Sequence, residues 1–301
     1  MLRPYLAARR TARKKFCIVF LVHLLRSSHL THGISIAHHR AMAERTIRIA
    51  AVGDLHYHNG GDGKIRSLFA EISDAADILL LCGDIIDYGL PDEARLLMKD
   101  IGDAAKRITL LAVLGNHEFE SGKVDEIITI LKDGGITILD GDACEIKGIG
   151  FAGVKGFPGG FGSRLLEPWG EPIIKQFVRE AIDESLKLET ALARLRTPSR
   201  VALLHYAPIA ATVTGEPLEI YPFLGSSRLE EPLNRYPVTA VFHGHAHHGT
   251  PEGKTTSGIP VYNVAMKLME KTFPGRPPCR IIELSTSGKR RADSGPSPAS
   301  G

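Results

Sequence analysis

Five short apolar runs, each ending in residue types that bind metal ions, constrain the fold of this chain more than any other feature. The runs are rich in β-branched residues and alternate with helical patterns, which predicts a layered α/β domain. Functional side chains in such domains tend to lie on loops that follow the carboxyl ends of strands. The runs are Ile47–Val52, Asp77–Leu81, Thr109–Leu114, Val201–His205 and Val238–His243.

Short motifs of acidic, amide and imidazole residues stand where these runs end. The first run leads into D-x-H, the second into G-D-x-x-D and the third into G-N-H-E. The fourth ends in a lone histidine, and the fifth leads into G-H-x-H. The side chains concerned are Asp54, His56, Asp84, Asp87, Asn116, His117, His205, His245 and His247.

This mixture of carboxylate, amide oxygen and imidazole suits borderline divalent metals. Manganese, iron and zinc accept imidazole nitrogen, whereas magnesium and calcium favour oxygen ligands almost alone. Two ions held about 3.5–4 Å apart need a ligand that reaches both, and an aspartate such as Asp84 can offer one oxygen to each. A water between two such ions is a source of hydroxide at neutral pH. A histidine beside the ions, held by a carboxylate, can supply a proton to a leaving group.

The ordered series from Asp54 to His247 resembles the calcineurin-like metallophosphoesterases. The resemblance implies a four-layer α/β/β/α sandwich in which two mixed sheets pack face to face and helices flank them. It implies hydrolysis of a phosphomonoester or phosphodiester by attack of a hydroxide that bridges two divalent metal ions. Manganese is the first expectation for these ions, with iron and zinc as alternatives.

The resemblance also implies a role for each side chain of the series. His117 would be the general acid that binds no metal, with Asp87 orienting it. The ligands would be Asp54, His56 and His247 for one ion, Asn116, His205 and His245 for the other, and Asp84 for both.

Two departures from the family's patterns bear on substrate class. Protein phosphatases of this superfamily have an arginine after the second aspartate and a glycine pair after the lone histidine. Here Tyr88 follows Asp87, and Tyr206-Ala207-Pro208 follow His205. The pattern is instead similar to the broad bacterial and archaeal phosphohydrolase branch, which includes cyclic-nucleotide phosphodiesterases.

Each motif also has a structural interpretation. Aspartate and glycine often form turns after strands, Asn116 is suited to cap a helix, and His205 is suited to a hydrogen-bonded core position. None of these interpretations explains the whole series, so we expect metal ligands. His58, His243 and His248 flank the motifs without a matching role, and we expect hydrogen bonding near the site or solvent exposure for them.

Other segments give simpler predictions. Apolar residues recur at three- and four-residue intervals between Pro172 and Leu195, which predicts an amphipathic helix. Residues 141–153 are predicted to form adjoining strands, and Gly156–Gly162 to form a loop at the rim of the site. Neither that loop nor Asn59–Lys64 matches a phosphate-cradling or dinucleotide-binding fingerprint.

The ends of the chain differ from the domain that we expect at 46–286. Residues 1–45 carry a basic start and the apolar run Phe16–Leu25, which we interpret as an upstream-start artefact or a disordered extension preceding Met42. An export signal is the alternative, and the apolar run is too short to span a bilayer as a helix. Residues 287–301 are predicted to be a disordered tail. The four cysteines stand far apart, which favours free thiols and a cytoplasmic protein.

Three functions from different classes follow from these patterns. The first is a phosphohydrolase acting on a small phosphate ester, the second is a nuclease on the same metal core, and the third is a non-catalytic interaction module of the same fold. A net charge of +3 over 301 residues does not indicate a basic surface for nucleic acid. Retention of His117 beside a full set of ligands argues against the module. The sequence does not predict an oligomeric state.

Overall fold

The computed structural model describes residues 45–58 and 63–287. The predicted leader and tail fall outside these ranges, apart from Arg45 and Ser287 at their inner boundaries. The strands in the described residues are β1 Thr46–Val52, β2 Ile78–Cys82, β3 Thr109–Val113, β4 Ile136–Ile138, β5 Asp142–Ile146, β6 Ile149–Gly153, β7 Ser199–Leu203, β8 Ala240–His243, β9 Glu252–Lys254, β10 Pro260–Asn263 and β11 Arg280–Ser285.

Helices lie in most of the connections between these strands. The α-helices in the described ranges are α1 Lys64–Ala75, α2 Pro91–Ala105, α3 Val124–Asp133, α4 Pro172–Arg194, α5 Tyr221–Leu224, α6 Glu230–Arg235 and α7 Met266–Thr272. Short 3-10 helices lie at His117–Phe119, Gly162–Arg164, Ala210–Val213, Leu218–Ile220 and Ser227–Leu229.

The strands form two mixed sheets in the part of the chain that the structure describes. The first sheet has the order β11-β1-β2-β3-β4, and the second has the order β5-β6-β7-β8-β10-β9. In the first, β1 to β4 run parallel and β11 pairs antiparallel with β1. In the second, β6, β7, β8 and β10 run parallel, and β5 and β9 are antiparallel edges. The carboxyl ends of the parallel strands within each sheet therefore share one edge.

A continuous apolar core lies between the sheets. Ile49 and Leu80 of the first sheet belong to the same buried cluster as Phe151, Leu203 and Phe242 of the second. The next residue along a strand points the opposite way, because side chains alternate across a sheet. Both faces are covered, which explains why the strands appear in the sequence as near-continuous apolar runs.

Helices cover the outer face of each sheet. Phe69 of α1, Leu97 of α2 and Leu131 of α3 pack with the outer residues of the first sheet. Leu188 of α4 and Leu233 of α6 pack with those of the second. The layers are therefore helix, sheet, sheet and helix, and the predicted four-layer α/β/β/α sandwich is confirmed.

The structure also agrees with the more local predictions. Each of the five runs overlaps a strand by at least three residues. The amphipathic segment is helix α4, which begins with Pro172 in its first turn. Residues 141–153 form the β5–β6 hairpin. No helix among the described residues is both long and apolar enough to cross a membrane.

Candidate metal centre

The side chains singled out in the sequence meet at the carboxyl edges of the two sheets. The loops after β1, β2 and β3 of the first sheet carry Asp54, His56, Asp84, Asp87, Asn116 and His117. The loops after β7 and β8 of the second sheet carry His205, His245 and His247. The site is thus assembled from both halves of the sandwich. Among the described residues, three groups of donor atoms could hold a cation, and two of them consist of predicted metal ligands: Asp54, His56 and His247, and Asp84, His205 and His245.

The first group converges from β1 and β8. Nε2 of His247 lies 3.0 Å from Oδ1 of Asp54. Nε2 of His56 lies 3.5 Å from Nε2 of His247. The donor atoms of the three side chains lie within 4.8 Å of one another. One carboxylate oxygen with two imidazole nitrogens is a donor set for a borderline divalent metal.

The second group lies next to the first, around Asp84. Nε2 of His205 is 3.4 Å from Oδ2 of Asp84 and 3.0 Å from Oδ1 of Asn116. The ring of His245 packs edge-on to the ring of His205, with centroids 4.8 Å apart. Oδ2 of Asp84 is also 4.0 Å from Nε2 of His56, a member of the first group. Asp84 therefore lies between the two groups.

Hydrogen bonds at the rear of the rings orient the nitrogens that face the site. Nδ1 of His205 donates to the main-chain carbonyl of Cys82 at 2.9 Å, so its Nε2 is the nitrogen that faces Asp84. Nδ1 of His56 lies 3.1 Å from Oδ1 of Asp87, so its Nε2 faces the first group. Bonds of this kind fix the tautomer and orientation of metal-binding histidines.

His117 lies at the mouth of the site without belonging to either group. Its Nε2 is 3.8 Å from Oδ2 of Asp84, and its Nδ1 donates to the main-chain carbonyl of Asp87. The carboxylates of Asp87 and Glu120 lie farther from the same Nδ1, at 3.7 and 3.6 Å. His117, His56 and Asp87 form a third cluster of possible donors.

Four of the predicted ligands adopt left-handed backbone conformations, which residues other than glycine rarely do. Such conformations cost about 1–3 kcal/mol each and persist where the surrounding structure imposes them. The φ angles are 56° at Asp54, 43° at His56, 47° at Asp84 and 70° at His245.

The glycines of the motifs let the loops pack against each other. A Cβ atom on Gly115 would overlap Oδ1 and the main-chain nitrogen of Asp84. A Cβ atom on Gly244 would overlap Oδ2 of Asp54. These glycines are therefore needed because the two aspartates lie directly against a neighbouring loop, and not because of turn geometry alone.

Charge and burial shift the ionisation of the site in opposite directions. Burial alone would lower the pKa of His205, but the carboxylate of Asp84 outweighs it and raises the value to about 9. The imidazole of His205 in turn helps to hold the pKa of Asp84 well below its usual range, against the effect of burial. Burial lowers the pKa of His245 to about 4. The carboxylates Asp54 and Asp84 thus favour positive charge at the site.

Two supporting residues were not singled out from the sequence. The buried carboxylate of Glu118 accepts hydrogen bonds from the main-chain N–H groups of Ile85 and Gly115, at 2.7 and 2.6 Å, and joins the second and third motif loops. Its position in the G-N-H-E motif was the sequence signal that could have identified it as part of the site. The amide of Asn263 donates to the carbonyl of Ala246 at 2.8 Å and supports the last loop. No motif in the sequence marks Asn263.

The flanking histidines occupy different surroundings. His243 is buried, and its Nε2 lies 2.8 Å from the hydroxyl of Thr212, which places it in the packing behind the last loop. Nδ1 of His58 donates to the main-chain carbonyl of His56 at 3.0 Å and lies 3.3 Å from Oδ2 of Asp87. His248 donates its main-chain N–H to Glu216 at 2.6 Å. The expected hydrogen bonding near the site is therefore seen for His58 and His243.

The chain is similar to known proteins in sequence family and in fold. Residues 47–249, more than half of the chain, match a family model described as calcineurin-like phosphoesterase. No curated protein sequence matches. The solved structure of phosphopantetheinyl hydrolase from Mycobacterium tuberculosis is similar in fold, with 15% identity, a TM-score of 0.52 and coverage of 78% of this chain and 95% of that one. A 5'-nucleotidase precursor from Thermus thermophilus has 17% identity and a TM-score of 0.44, over 82% and 53% of the two chains.

Proposed function

Because this chain belongs to the calcineurin-like phosphoesterase family, we propose that it is a metal-dependent phosphohydrolase that cleaves a small phosphomonoester or phosphodiester. The observation that carries the proposal is the position of Asp84. Its Oδ2 lies 3.4 Å from Nε2 of His205 and 4.0 Å from Nε2 of His56, so one carboxylate faces both donor groups. A shared carboxylate is the ligand that a pair of ions about 3.5–4 Å apart requires.

The donor set fits two borderline divalent cations. Imidazole nitrogens in both groups favour manganese, iron or zinc over magnesium and calcium, and we expect Mn²⁺ first. When bound, the ions supply an activated water and positive charge for the phosphoryl oxygens. The residues that would hold them are Asp54, His56 and His247 on one side, Asn116, His205 and His245 on the other, and Asp84 on both.

His117 is placed to donate the proton that the leaving oxygen needs. Its Nδ1 is engaged with the carbonyl of Asp87, so Nε2 is the nitrogen that faces the site. Burial opposes protonation, but the carbonyl of Asp87 and the carboxylate of Asp84 outweigh it and raise the pKa of His117 above its ordinary value. A histidine whose surroundings favour its protonated form is suited to general acid catalysis.

The test is hydrolysis of p-nitrophenyl phosphate and bis-p-nitrophenyl phosphate by the full chain. Each ester is supplied with Mn²⁺, Fe²⁺ or Zn²⁺, and again after treatment with a chelator. Metal-dependent release of p-nitrophenol that the chelator abolishes supports the proposal, and the preferred ester separates monoesterase from diesterase. Cleavage of single-stranded DNA with neither ester hydrolysed would favour a nuclease. Two bound ions with no turnover of any substrate would favour the interaction module.

A further inference from the structure

The ammonium group of Lys155 lies among three aromatic rings beside the metal centre. Its Nζ is 5.0 Å from the ring centre of Phe157, 5.3 Å from that of Tyr206 and 5.5 Å from that of Phe119. These are the distances of cation–π contacts, in which the face of a ring attracts a positive charge. We call the four side chains the Lys155 subsite.

The charge of Lys155 has no counter-ion in the part of the chain that the structure describes. Its Nζ donates there to one acceptor, the main-chain carbonyl of Gly156 at 3.0 Å, although an ammonium has three N–H groups to offer. The buried carboxylate of Glu184 is engaged elsewhere, with Lys187 at 2.7 Å and the main-chain N–H of Gly156 at 2.8 Å. A partly buried cation among apolar rings is costly unless an anion pairs with it.

The backbone ties Lys155 to the loop that carries a proposed metal ligand. The residue follows strand β6, and its main-chain carbonyl accepts from the N–H groups of His205 and Tyr206, at 3.0 and 3.1 Å. The ring of Tyr206 also packs against the ring of His245, with centroids 4.5 Å apart. The ammonium is therefore separated from the second donor group by one aromatic ring.

The subsite is open to solvent. The side chain of Phe119, two residues after His117, is 44% exposed. The hydroxyl of Tyr206 has no hydrogen-bond partner among the described residues. Nε of Arg228 is the one fully buried side-chain polar atom there that lacks a partner, so the Tyr206 hydroxyl is not sealed from water. Both the ammonium and this hydroxyl can donate to a ligand that enters from the site.

We propose that the Lys155 subsite binds a second anionic group of the substrate, a carboxylate or a further phosphoryl group, while the metal centre holds the phosphoryl group that is cleaved. The proposal rests on the proposed function, because it takes the metal centre as the place of cleavage. Lys155 is then a specificity-determining residue.

The distribution of charge explains why the subsite would select a second anion. Two bound cations already offset the charge of the phosphoryl group that is cleaved. Lys155 is displaced from the second donor group by the ring of Tyr206, so it suits an anion joined to that phosphoryl group through a short spacer. Hydrogen bonds between an ammonium and an anion are strong where the surroundings are apolar.

Calorimetric titration of the Mn²⁺-loaded full chain gives a test that needs no turnover. The probes are phosphonates, which a phosphoesterase cannot hydrolyse: propylphosphonate with one anionic group, 3-phosphonopropionate with an added carboxylate and propane-1,3-diphosphonate with a second phosphonate. Homologues longer by one and two carbons cover the span. We expect wild type to bind a doubly anionic probe about 10–100-fold more tightly than the matching alkylphosphonate, and the probe that gains identifies the anion. No gain at any chain length would overturn the proposal.

Lys155→Met removes the charge and keeps an unbranched apolar stem to pack between the rings. We expect it to lose the 10–100-fold gain and to bind propylphosphonate as wild type does, and we expect Lys155→Arg to retain a gain. Lys254→Met removes an exposed lysine on β9 and is the matched control, which should keep the full gain. A gain of wild-type size in Lys155→Met, or an equal loss of affinity for propylphosphonate, would contradict the proposal.

Tyr206→Phe decides the case in which Lys155→Met does not fold. It removes the hydroxyl and leaves the ring, so we expect the gain from a second anion to fall by about 2–10-fold. Circular dichroism establishes folding of each variant. An unchanged gain in Tyr206→Phe would then overturn the proposal.

The two proposals fail in different ways. Wild type that hydrolyses p-nitrophenyl phosphate but gains no affinity from a second anion contradicts this inference alone. Wild type that hydrolyses no ester, yet shows a gain that Lys155→Met abolishes, contradicts the proposed function and leaves the subsite in place. Wild type that holds two Mn²⁺ ions and binds no phosphonate contradicts both.

Discussion

Nε2 of His117 lies 3.8 Å from Oδ2 of Asp84, so the proposed proton donor faces the carboxylate that we propose to be shared by two ions. Replacement of His117 by alanine removes the proton donor and none of the proposed ligands. We expect His117→Ala to keep two ions per chain and to lose about 10²–10⁴-fold in turnover of phenyl phosphate. Inductively coupled plasma mass spectrometry and steady-state assays check this. Loss of metal together with activity would make His117 a ligand instead.

Replacement of Asp84 by asparagine should remove metal as well as activity. Asparagine keeps the volume but offers one weak oxygen donor in place of two charged ones, so it cannot serve both groups. We expect Asp84→Asn to bind fewer than two ions per chain at metal concentrations that fill the wild type. Metal content after gel filtration is the measurement. Retention of two ions would contradict the assignment of Asp84 to both metals.

Glu118 offers a test of how the motif loops are held. Its carboxylate accepts hydrogen bonds from three main-chain N–H groups, those of Ile85, Ile86 and Gly115. Glu118→Gln places an amide N–H₂ where one of these oxygens accepts, so at least one buried donor loses its partner. We expect a loss of about 1–3 kcal/mol in the free energy of unfolding, measured with urea in the presence of chelator. The exposed Glu270→Gln is the control and should change it by less than about 0.5 kcal/mol.

Two glycine-to-alanine substitutions should have opposite effects. In Gly115→Ala the new Cβ overlaps Asp84, so either the carboxylate or the loop must move, and both metal binding and stability should fall. Gly102 lies inside α2, and a Cβ added there would meet no neighbouring atom within 4 Å, so Gly102→Ala should raise the free energy of unfolding by about 0.5–1 kcal/mol. Thermal melts and metal content distinguish the two. Normal metal content in Gly115→Ala would contradict the close packing of this loop.

The hydrogen bonds that Asp100 accepts from Tyr57 and Arg66, here called the polar bridge, should make the free energy of unfolding depend on pH in the acid range. Oδ2 of Asp100 accepts from the hydroxyl of Tyr57 at 2.7 Å, and its Oδ1 accepts from Arg66. These bonds, that of Tyr57 first, lower the pKa of Asp100 from its ordinary 3.8. The folded state therefore favours the charged form, and its contribution is present above pH 3.8 and is lost as the pH falls below that value.

Tyr57→Phe tests this bridge. The variant keeps the buried ring and loses the hydroxyl, so we expect the free energy of unfolding to fall by about 1 kcal/mol at pH 7. The difference from wild type should shrink as the pH falls from 3.8 through the lower pKa that Asp100 has in the folded protein. Urea unfolding at pH 7 and at pH 3.5 measures it. A difference that stays constant between these two values would show that the charge of Asp100 contributes nothing.

The strands were predictable from the sequence because both faces of each sheet are buried. Runs such as Ile78–Cys82 are fully buried, so they contain no polar residue to obscure the pattern. Strand β9, Glu252–Lys254, is a three-residue edge with exposed charges, and no apolar pattern marks it. Helices α5 and α6 have four and six residues, too short for a repeat of the helical period to show.

The site was predictable to the extent that it depends on strand ends. The order of the motifs placed donor types on neighbouring loops, and the structure brings all nine of those side chains together. The surroundings of Lys155 could not be predicted, because they depend on which way loop side chains turn. Glu118 was missed as a support for a similar reason, since two of the three main-chain N–H groups that donate to it belong to another motif.

The left-handed residues at the candidate centre carry an implication for selection experiments. At Asp54, His56, Asp84 and His245 the backbone adopts a conformation that glycine or asparagine would adopt with less strain. The same four residues supply donor atoms. Relief of that strain stabilises a protein whether or not it still works. A library screened only for resistance to heat should therefore accumulate glycine and asparagine at these four positions and erase the centre while the sandwich persists.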